Sequence, residues 1–502
     1  MTKQTQPSSQ LPFTMPSSNA LPDVITGYVS AKSKGGKSAA QLKSLPRSAK
    51  PFHAKSADAN RAQKMAEDAG LTILAESPLG FAVAGPGAAY EELTGGKLVM
   101  QEQLMYSHGA RQRYVSHIDI QGRGQPKDAG CGKLRGKSTA IEMIMLESPR
   151  QYAGIQPSPI PPSVSKFHLR VPGDVALGLG APAVHRNGIT GAGVTVAMVD
   201  SGQQTHPYFA AHGYDVRPTT SVVPGTDPGE DPVGHGTGEA ANIFAAAPGS
   251  TLDPYRASNN QGRLVGAIAG FLTAKAAAPR ILTNSWGGNG PYNPFNQPPP
   301  SQADITWALE ILDTVQQGIV VVFSAGNGSF TIEPQVPGVL AAGGVYMEND
   351  IDLRASNYAS GYDSPWINNR RVPDVCGLVG LLPRADYIML PVPGGCDLDV
   401  SQSLPDGPAP GDGTQANDGW GLFSGTSAAA PQLAGIAALI LEARPNATPA
   451  QVVQAMTASA IDVRMGNCHP RFNNAATVGP DSATGHGLAN AQAAVQHAID
   501  NF

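Results

Sequence analysis

Residues 194–202 read Val-Thr-Val-Ala-Met-Val-Asp-Ser-Gly. A short, nearly continuous apolar run of this kind, without the alternation of a half-exposed strand, suits a strand buried on both faces of a parallel sheet. It ends at Asp200 just before a Ser-Gly turn signal, and open α/β sheets present their ligands at the carboxyl ends of their strands. Three more segments repeat the pattern: Ile281–Asn284, Ile319–Phe323 and Val339–Ala342. Helical stretches alternate with them at Thr237–Ala246, Ser301–Val315, Ala428–Leu441 and Pro449–Ala458, the last opened by a Thr448 cap and Pro at its first position. The alternation predicts an α/β domain over residues 167–502, with a mostly parallel sheet and helices on both faces.

Upstream the chemistry changes. The chain has 502 residues, 58 of them Gly and 44 Pro, and only 15% are charged, which describes a loop-rich globular protein and excludes a coiled coil. Residues 1–150 hold 19 Lys and Arg against 12 Asp and Glu, a net +7, whereas the remainder is net −12 and keeps only two lysines, Lys166 and Lys275. Residues 1–55 are rich in Ser, Pro, Gly and Lys and are expected to be a disordered basic arm. Its basic tract at 31–50 lacks aromatic interleaving, so no nucleic-acid partner is expected. A small α+β unit follows over 56–107, with helices at Ala57–Ala69 and Ala88–Leu93 and strands at Leu71–Ala75, Phe81–Ala84 and Leu98–Tyr106. At that size it would bury too little area alone and should lean on the larger domain. Residues 108–166 are expected to be an irregular linker, stiffened by Pro159-Ile-Pro-Pro162. No apolar run long enough to span a bilayer and no secretory leader is read, so a membrane span is not expected and the expected location is cytoplasmic, with export by another route as the alternative.

The stretch Leu422-Phe-Ser-Gly-Thr-Ser-Ala-Ala-Ala-Pro431 puts Ser427 at the start of an Ala-rich helix, where orphan N–H groups and the helix dipole favour negative charge. A serine hydroxyl needs a base, and the base needs an orienting group. His235 lies between glycines in Val233-Gly-His-Gly-Thr-Gly238, and Asp200 ends its strand. In Val320-Val-Val-Phe-Ser-Ala-Gly-Asn-Gly-Ser329, Asn327 carries an amide that can donate to an oxyanion beside the Ser427 backbone N–H. Each residue also has an ordinary structural use: Ser427 as a helix cap, His235 as a surface residue, and Asp200 and Asn327 as turn formers.

Taken together these segments resemble the subtilases, the subtilisin-like serine peptidases. Asp-Ser-Gly at 200–202, His-Gly-Thr at 235–237, Ser-Ala-Gly-Asn at 324–327 and Gly-Thr-Ser-Ala-Ala-Ala-Pro at 425–431 match the family's four blocks in order. The resemblance implies Asp200, His235 and Ser427 as the triad, with Asn327 at the oxyanion. It also implies a substrate-binding strand at Ser285, Trp286 and Gly287, where Trp286 would either roof a specificity pocket or pack in the core. The unit at 56–107 resembles, more weakly, the family's prodomain, which implies a self-inhibited zymogen cut somewhere in 108–166, with the chain's own N-terminal region as a partner in cis beside protein or peptide substrates. The alternative is an inactive scaffold on the same fold. No cofactor is expected. Relative to the family, an insertion is expected over about residues 376–419. Its Cys376 and Cys396 would form a disulfide in an oxidising compartment, and its acidic run, Asp397, Asp399, Asp406, Asp412 and Asp418, invites structural calcium by analogy with many subtilases.

Overall fold

Seven strands form the spine of the larger domain in a computed structural model of the chain. The structure describes residues 21–35, 42, 44–107, 111–122, 131–132, 140–147, 150–152, 169–293, 295–348, 352–382, 387–404 and 412–502. In spatial order the strands are Asp215–Val216, Thr251–Arg256, Thr195–Asp200, Ile281–Asn284, Val320–Ser324, Leu340–Glu348 and Asp352–Ala355. All pairings are parallel except the last, and Val375–Leu378 adds a further parallel partner along Leu340–Glu348.

The run that suggested a doubly covered strand divides its side chains between two cores. Val196 and Met198 point into a cluster with the helices His235–Ala246 and Thr426–Ala443, while Ala197 and Val199 point into another with Ala267–Ala276 and Gln302–Gln316. Val320 and Val322 against Val321 and Phe323 repeat the division on the neighbouring strand. Two-residue periodicity sends successive side chains to opposite faces, so a strand with helices on both sides must be apolar throughout. The helix Thr426–Ala443 is long and apolar enough to cross a bilayer, but it packs in the middle of this core.

The N-terminal region contains a second, antiparallel sheet. Ile25–Ala31 runs between Gly80–Gly85 and Ile141–Leu146, with Thr72–Glu76 and Cys131–Gly132 outside them. Lys97–Ser107 and Arg111–Gln121 form a separate hairpin. The helices Ser56–Asp68 and Gly87–Thr94 pack on one face, over Val29, Phe81, Val83 and Ile144.

Two expectations are corrected here. Residues 1–55 are not wholly an arm, because Ile25–Ala31 is a central, buried strand; residues 1–20 and 36–41 lie outside the described residues. Residues 108–166 are not simply a linker, since they supply Arg111–Gln121 and Ile141–Leu146. A central strand is held by two partners distant in sequence, and local composition does not carry that information. The stiff Pro159–Pro162 spacer lies outside the described residues.

Candidate active site

Asp200 ends its strand at the carboxyl edge of the sheet and is fully buried. Its Oδ1 accepts from the Ser201 backbone N–H at 2.7 Å and lies 2.7 Å from His235 Nδ1. The approach depends on glycine: a Cβ on Gly236 would stand 2.1 Å from the Gly202 carbonyl oxygen, so a larger residue would push the His235 helix off the strand. Gly234, at φ +86°, provides the left-handed turn into that helix. Asp231 secures the first turn, its carboxylate accepting from the N–H groups of Gly234 and Thr237 and from the Thr237 hydroxyl.

Ser427 is the second residue of the helix Thr426–Ala443 and is also fully buried. Four residues on stands Pro431, which has no N–H to give the Ser427 carbonyl the bond an α-helix would normally supply. Ser285 fills the gap: its Oγ donates to the Ser427 carbonyl at 2.8 Å, and Ser427 Oγ donates to the Ser285 carbonyl at 3.1 Å. The nucleophile candidate is thus tied by two reciprocal bonds to the segment beside Trp286–Gly287, and its hydroxyl must leave the Ser285 carbonyl to engage His235.

Asn327 sits in the turn after Val320–Ser324, flanked by Gly326 and Gly328 at positive φ. Its Oδ1 accepts from the Thr426 backbone N–H at 3.0 Å and from the Thr426 hydroxyl at 3.2 Å. Those two donors fix which way the amide points, and they leave the buried Nδ2 without a partner. A buried N–H held in place and unpaired is costly unless something else accepts from it. An oxyanion beside Ser427 would do so.

The substrate-strand expectation divides. Trp286 and Gly287 pair antiparallel with Gln151 and Tyr152 of the preceding segment. The Trp286 side chain, however, is a core residue and roofs no pocket: it is 1% exposed, its indole N–H donates to the Val199 carbonyl at 2.7 Å, and its ring packs against Trp307 and Phe323.

Cys376 and Cys396 are free, buried thiols, not a disulfide; Cys376 lies in the strand Val375–Leu378 while Cys396 sits against Gly234. Among the described residues the acidic run gathers no calcium cage. Asp399 accepts from the Gly395 and Gly419 N–H groups, Asp412 caps Thr414, and Asp418 accepts from Gln415 and Trp420, while Asp406 lies outside the described residues. Among the described residues no set of three or more acidic, His or Cys side chains is gathered that could hold a metal.

One site residue escaped the reading of the sequence. Glu239, one helical turn after His235, is fully buried, with Oε1 3.8 Å from His235 Nε2 and Oε2 accepting from Asn242 Nδ2 at 2.9 Å. The signal was available: residues i and i+4 on a helix lie side by side. Burial alone would push the His235 imidazole down, but Asp200, Glu239 and Asp231 outweigh it and hold the ring above its ordinary range. Burial in turn drives the Glu239 carboxyl up, against the pull of His235.

Comparison with known proteins matches the family described as the subtilase family to residues 191–487. Subtilisin of Bacillus pumilus is 30% identical over 337 residues, covering 63% of this chain and 96% of that protein. Subtilisin BL of Lederbergia lenta is 26% identical over 334 residues, with the same two shares. Among solved structures, fervidolysin from Fervidobacterium pennivorans, a keratinolytic enzyme related to subtilisin, aligns with a TM-score of 0.55 and 18% identity, a likeness of fold. That alignment covers 95% of this chain and 62% of the length of fervidolysin.

Proposed function

The chain belongs to the subtilase family of serine peptidases, and we propose that it hydrolyses peptide bonds through an acyl-enzyme on Ser427 and is made as a self-inhibited zymogen. The observation that carries the catalytic reading is the meeting of four groups at one edge of the sheet: the Asp200–His235 hydrogen bond, Ser427 at a helix N-terminus, and the Asn327 amide aimed by Thr426 with its Nδ2 unpaired.

The mechanism follows from these positions. Ser427 Oγ turns from the Ser285 carbonyl, attacks the substrate carbonyl carbon and passes its proton to His235 Nε2. Asp200, bonded to Nδ1, holds the ring in the tautomer with Nε2 free to accept and stabilises the imidazolium that results. The oxyanion is met by Asn327 Nδ2 and the Ser427 backbone N–H, and a donor of this kind contributes about 3 kcal/mol to the transition state. His235 then protonates the leaving amine, whose bond to the carbonyl carbon breaks. Water repeats the sequence to release the acyl group.

The pairing of Gln151–Tyr152 with Trp286–Gly287 supports the zymogen reading. An extended segment added to an exposed strand edge is how a peptide substrate would bind, so the protein's own chain lies where a substrate should lie. The bond to be cut is proposed to lie within residues 108–166, of which 153–166, following the paired segment, are outside the described residues. Intact mass followed over time, beside Ser427→Ala, tests both claims. The expected result is a Ser427-dependent loss of the N-terminal region together with Ser427-dependent labelling by a serine-reactive phosphonate. Absence of labelling and of peptide hydrolysis at every stage of processing would overturn the peptidase; hydrolysis by a chain of unchanged mass would overturn only the zymogen.

A further inference from the structure

Inside the His235 helix, Glu239 carries a carboxyl group in a fully buried position. Ala240, Ile243 and Phe244 of the same helix lie in the core, and Phe423 stands 6.1 Å from the His235 ring. Burying a carboxyl here carries a desolvation cost that an aliphatic side chain would avoid. One of its oxygens is satisfied by Asn242, and the other, Oε1, has no hydrogen-bond partner. That second oxygen is directed at the ring nitrogen of His235 opposite the one held by Asp200.

The carboxyl is also held from behind. Gln432 Nε2 donates to Asn242 Oδ1 at 3.2 Å, and Gln432 is itself fixed by the Leu378 N–H and carbonyl. Gln432 lies on the helix that carries Ser427. A chain of amides therefore runs from the nucleophile's helix through Asn242 to Glu239 and ends beside the base.

We propose that Glu239 is a positioning residue for catalysis that sets the pH at which His235 becomes a free base, and so places the working range of this peptidase on the alkaline side of an otherwise identical triad. The inference rests on the triad reading above. The ionisable groups that act on this pair are Asp200 from the adjacent strand and Asp231 from the turn before the helix, with Cys396 beside Gly234; Asn242 faces Glu239 as a neutral group. Asp200 and Asp231 belong to the triad and to the helix cap, which leaves Glu239 as the charge added to that common arrangement. An ionised Glu239 stabilises the imidazolium, so His235 gives up its proton only at higher pH. At 3.8 Å and out of water the two groups titrate as a coupled pair, and the acid limb of kcat/KM belongs to the pair.

The test is the pH dependence of kcat/KM on a soluble peptide for the parent, Glu239→Gln, Glu239→Leu and Glu239→Asp. Gln keeps an oxygen for Asn242, Leu removes all polarity, and Asp keeps the charge. The acid limb is expected to fall by about one pH unit in the Gln and Leu variants, raising activity at low pH relative to the plateau about tenfold, and to stay above theirs in the Asp variant. A limb in an active Gln variant that coincides with the parent's overturns the proposal. Should the variants fail to process, the low-field Nδ1 proton of His235 can be titrated by NMR in the full chain carrying Ser427→Ala, with and without Glu239→Gln. A lower midpoint in the double variant supports the proposal and equal midpoints overturn it. That measurement requires no hydrolysis, so a failure of the peptidase reading is distinguishable from a failure of this one.

Discussion

Two sheets in this molecule solve the same burial problem differently. The parallel sheet is covered on both faces by helices of its own domain. The antiparallel N-terminal sheet covers one face with its own helices and turns the other, through Tyr28, Ala82, Met143 and Met145, into the core around Ala267–Ala276 and Gln302–Gln316. The first sheet is complete within its domain. The second finishes its core only against another part of the chain. The surface between them is mainly apolar, with Leu309 packed among Ala49, Phe52 and Leu79. Its polar centre is one buried cluster, where Lys275 Nζ donates to Glu310 at 3.0 Å and Asp313 at 2.8 Å, Tyr28 donates to Glu310 at 2.6 Å, and His53 lies 2.7 Å from Asp313. Among the described residues the basic groups of the N-terminal region that meet carboxylates of the larger domain are Arg150, 3.8 Å from Glu333, and His53, so most of the opposite net charge remains available as long-range steering.

The contrast breaks most readily at Trp286. If its ring belongs to the self-contained core, Trp286→Ala should destabilise the catalytic domain by about 3–5 kcal/mol in chemical denaturation, whether or not the N-terminal unit is present. A stable variant with altered peptide preference would return Trp286 to the substrate pocket. Glu310→Gln, in the Ser427→Ala chain, should cost about 2–3 kcal/mol, because it removes the charged acceptor of Tyr28 and one of the two carboxylates facing Lys275. Here the loss should appear as hydrogen exchange in Ile25–Ala31 and Gly80–Gly85 before it appears in the parallel sheet; equal exposure of both sheets would erase the proposed difference. Tyr28→Phe is a milder version, expected at about 1 kcal/mol by the same readout.

The pH dependence of docking sharpens the comparison last. At Asp313, burial alone would raise the carboxyl, but Lys275 and His53 outweigh it and hold the group below its ordinary range. A carboxylate depressed in the folded state contributes stability above its unfolded value of about 3.9, and that contribution is lost as the pH falls through the folded value. Susceptibility of the N-terminal unit to added pepsin, in the Ser427→Ala chain, should therefore rise only below about pH 4. An onset near neutral pH would give the control to another group.

The parallel sheet, and the meeting of the four segments proposed as catalytic, were legible because their signals are local. Apolar runs of one strand's length, and a turn residue set between glycines at an element boundary, require no knowledge of distant partners. Ile25–Ala31 was not legible, because its neighbours on either side, Gly80–Gly85 and Ile141–Leu146, lie far along the chain and its flanks resemble a tail. The direction of the Trp286 ring also lay beyond reach, since a two-residue strand has no periodicity to read. Glu239 could have been found by asking what stands one helical turn from His235. The mismatch of Cys376 and Cys396 is a matter of tertiary placement that spacing alone does not encode.

The reciprocal bonds between Ser427 and Ser285 have a mechanical meaning. Because Pro431 leaves the Ser427 carbonyl to Ser285, the strand that a peptide would pair with and the residue that would cut it are joined across a single gap by two hydrogen bonds. On the proposed reading, the ruler that would measure where a bond is cut is fastened to the blade. Loops elsewhere in the domain can vary in length without changing that calibration, and a substitution at Ser285 would disturb the choice of bond as well as the rate.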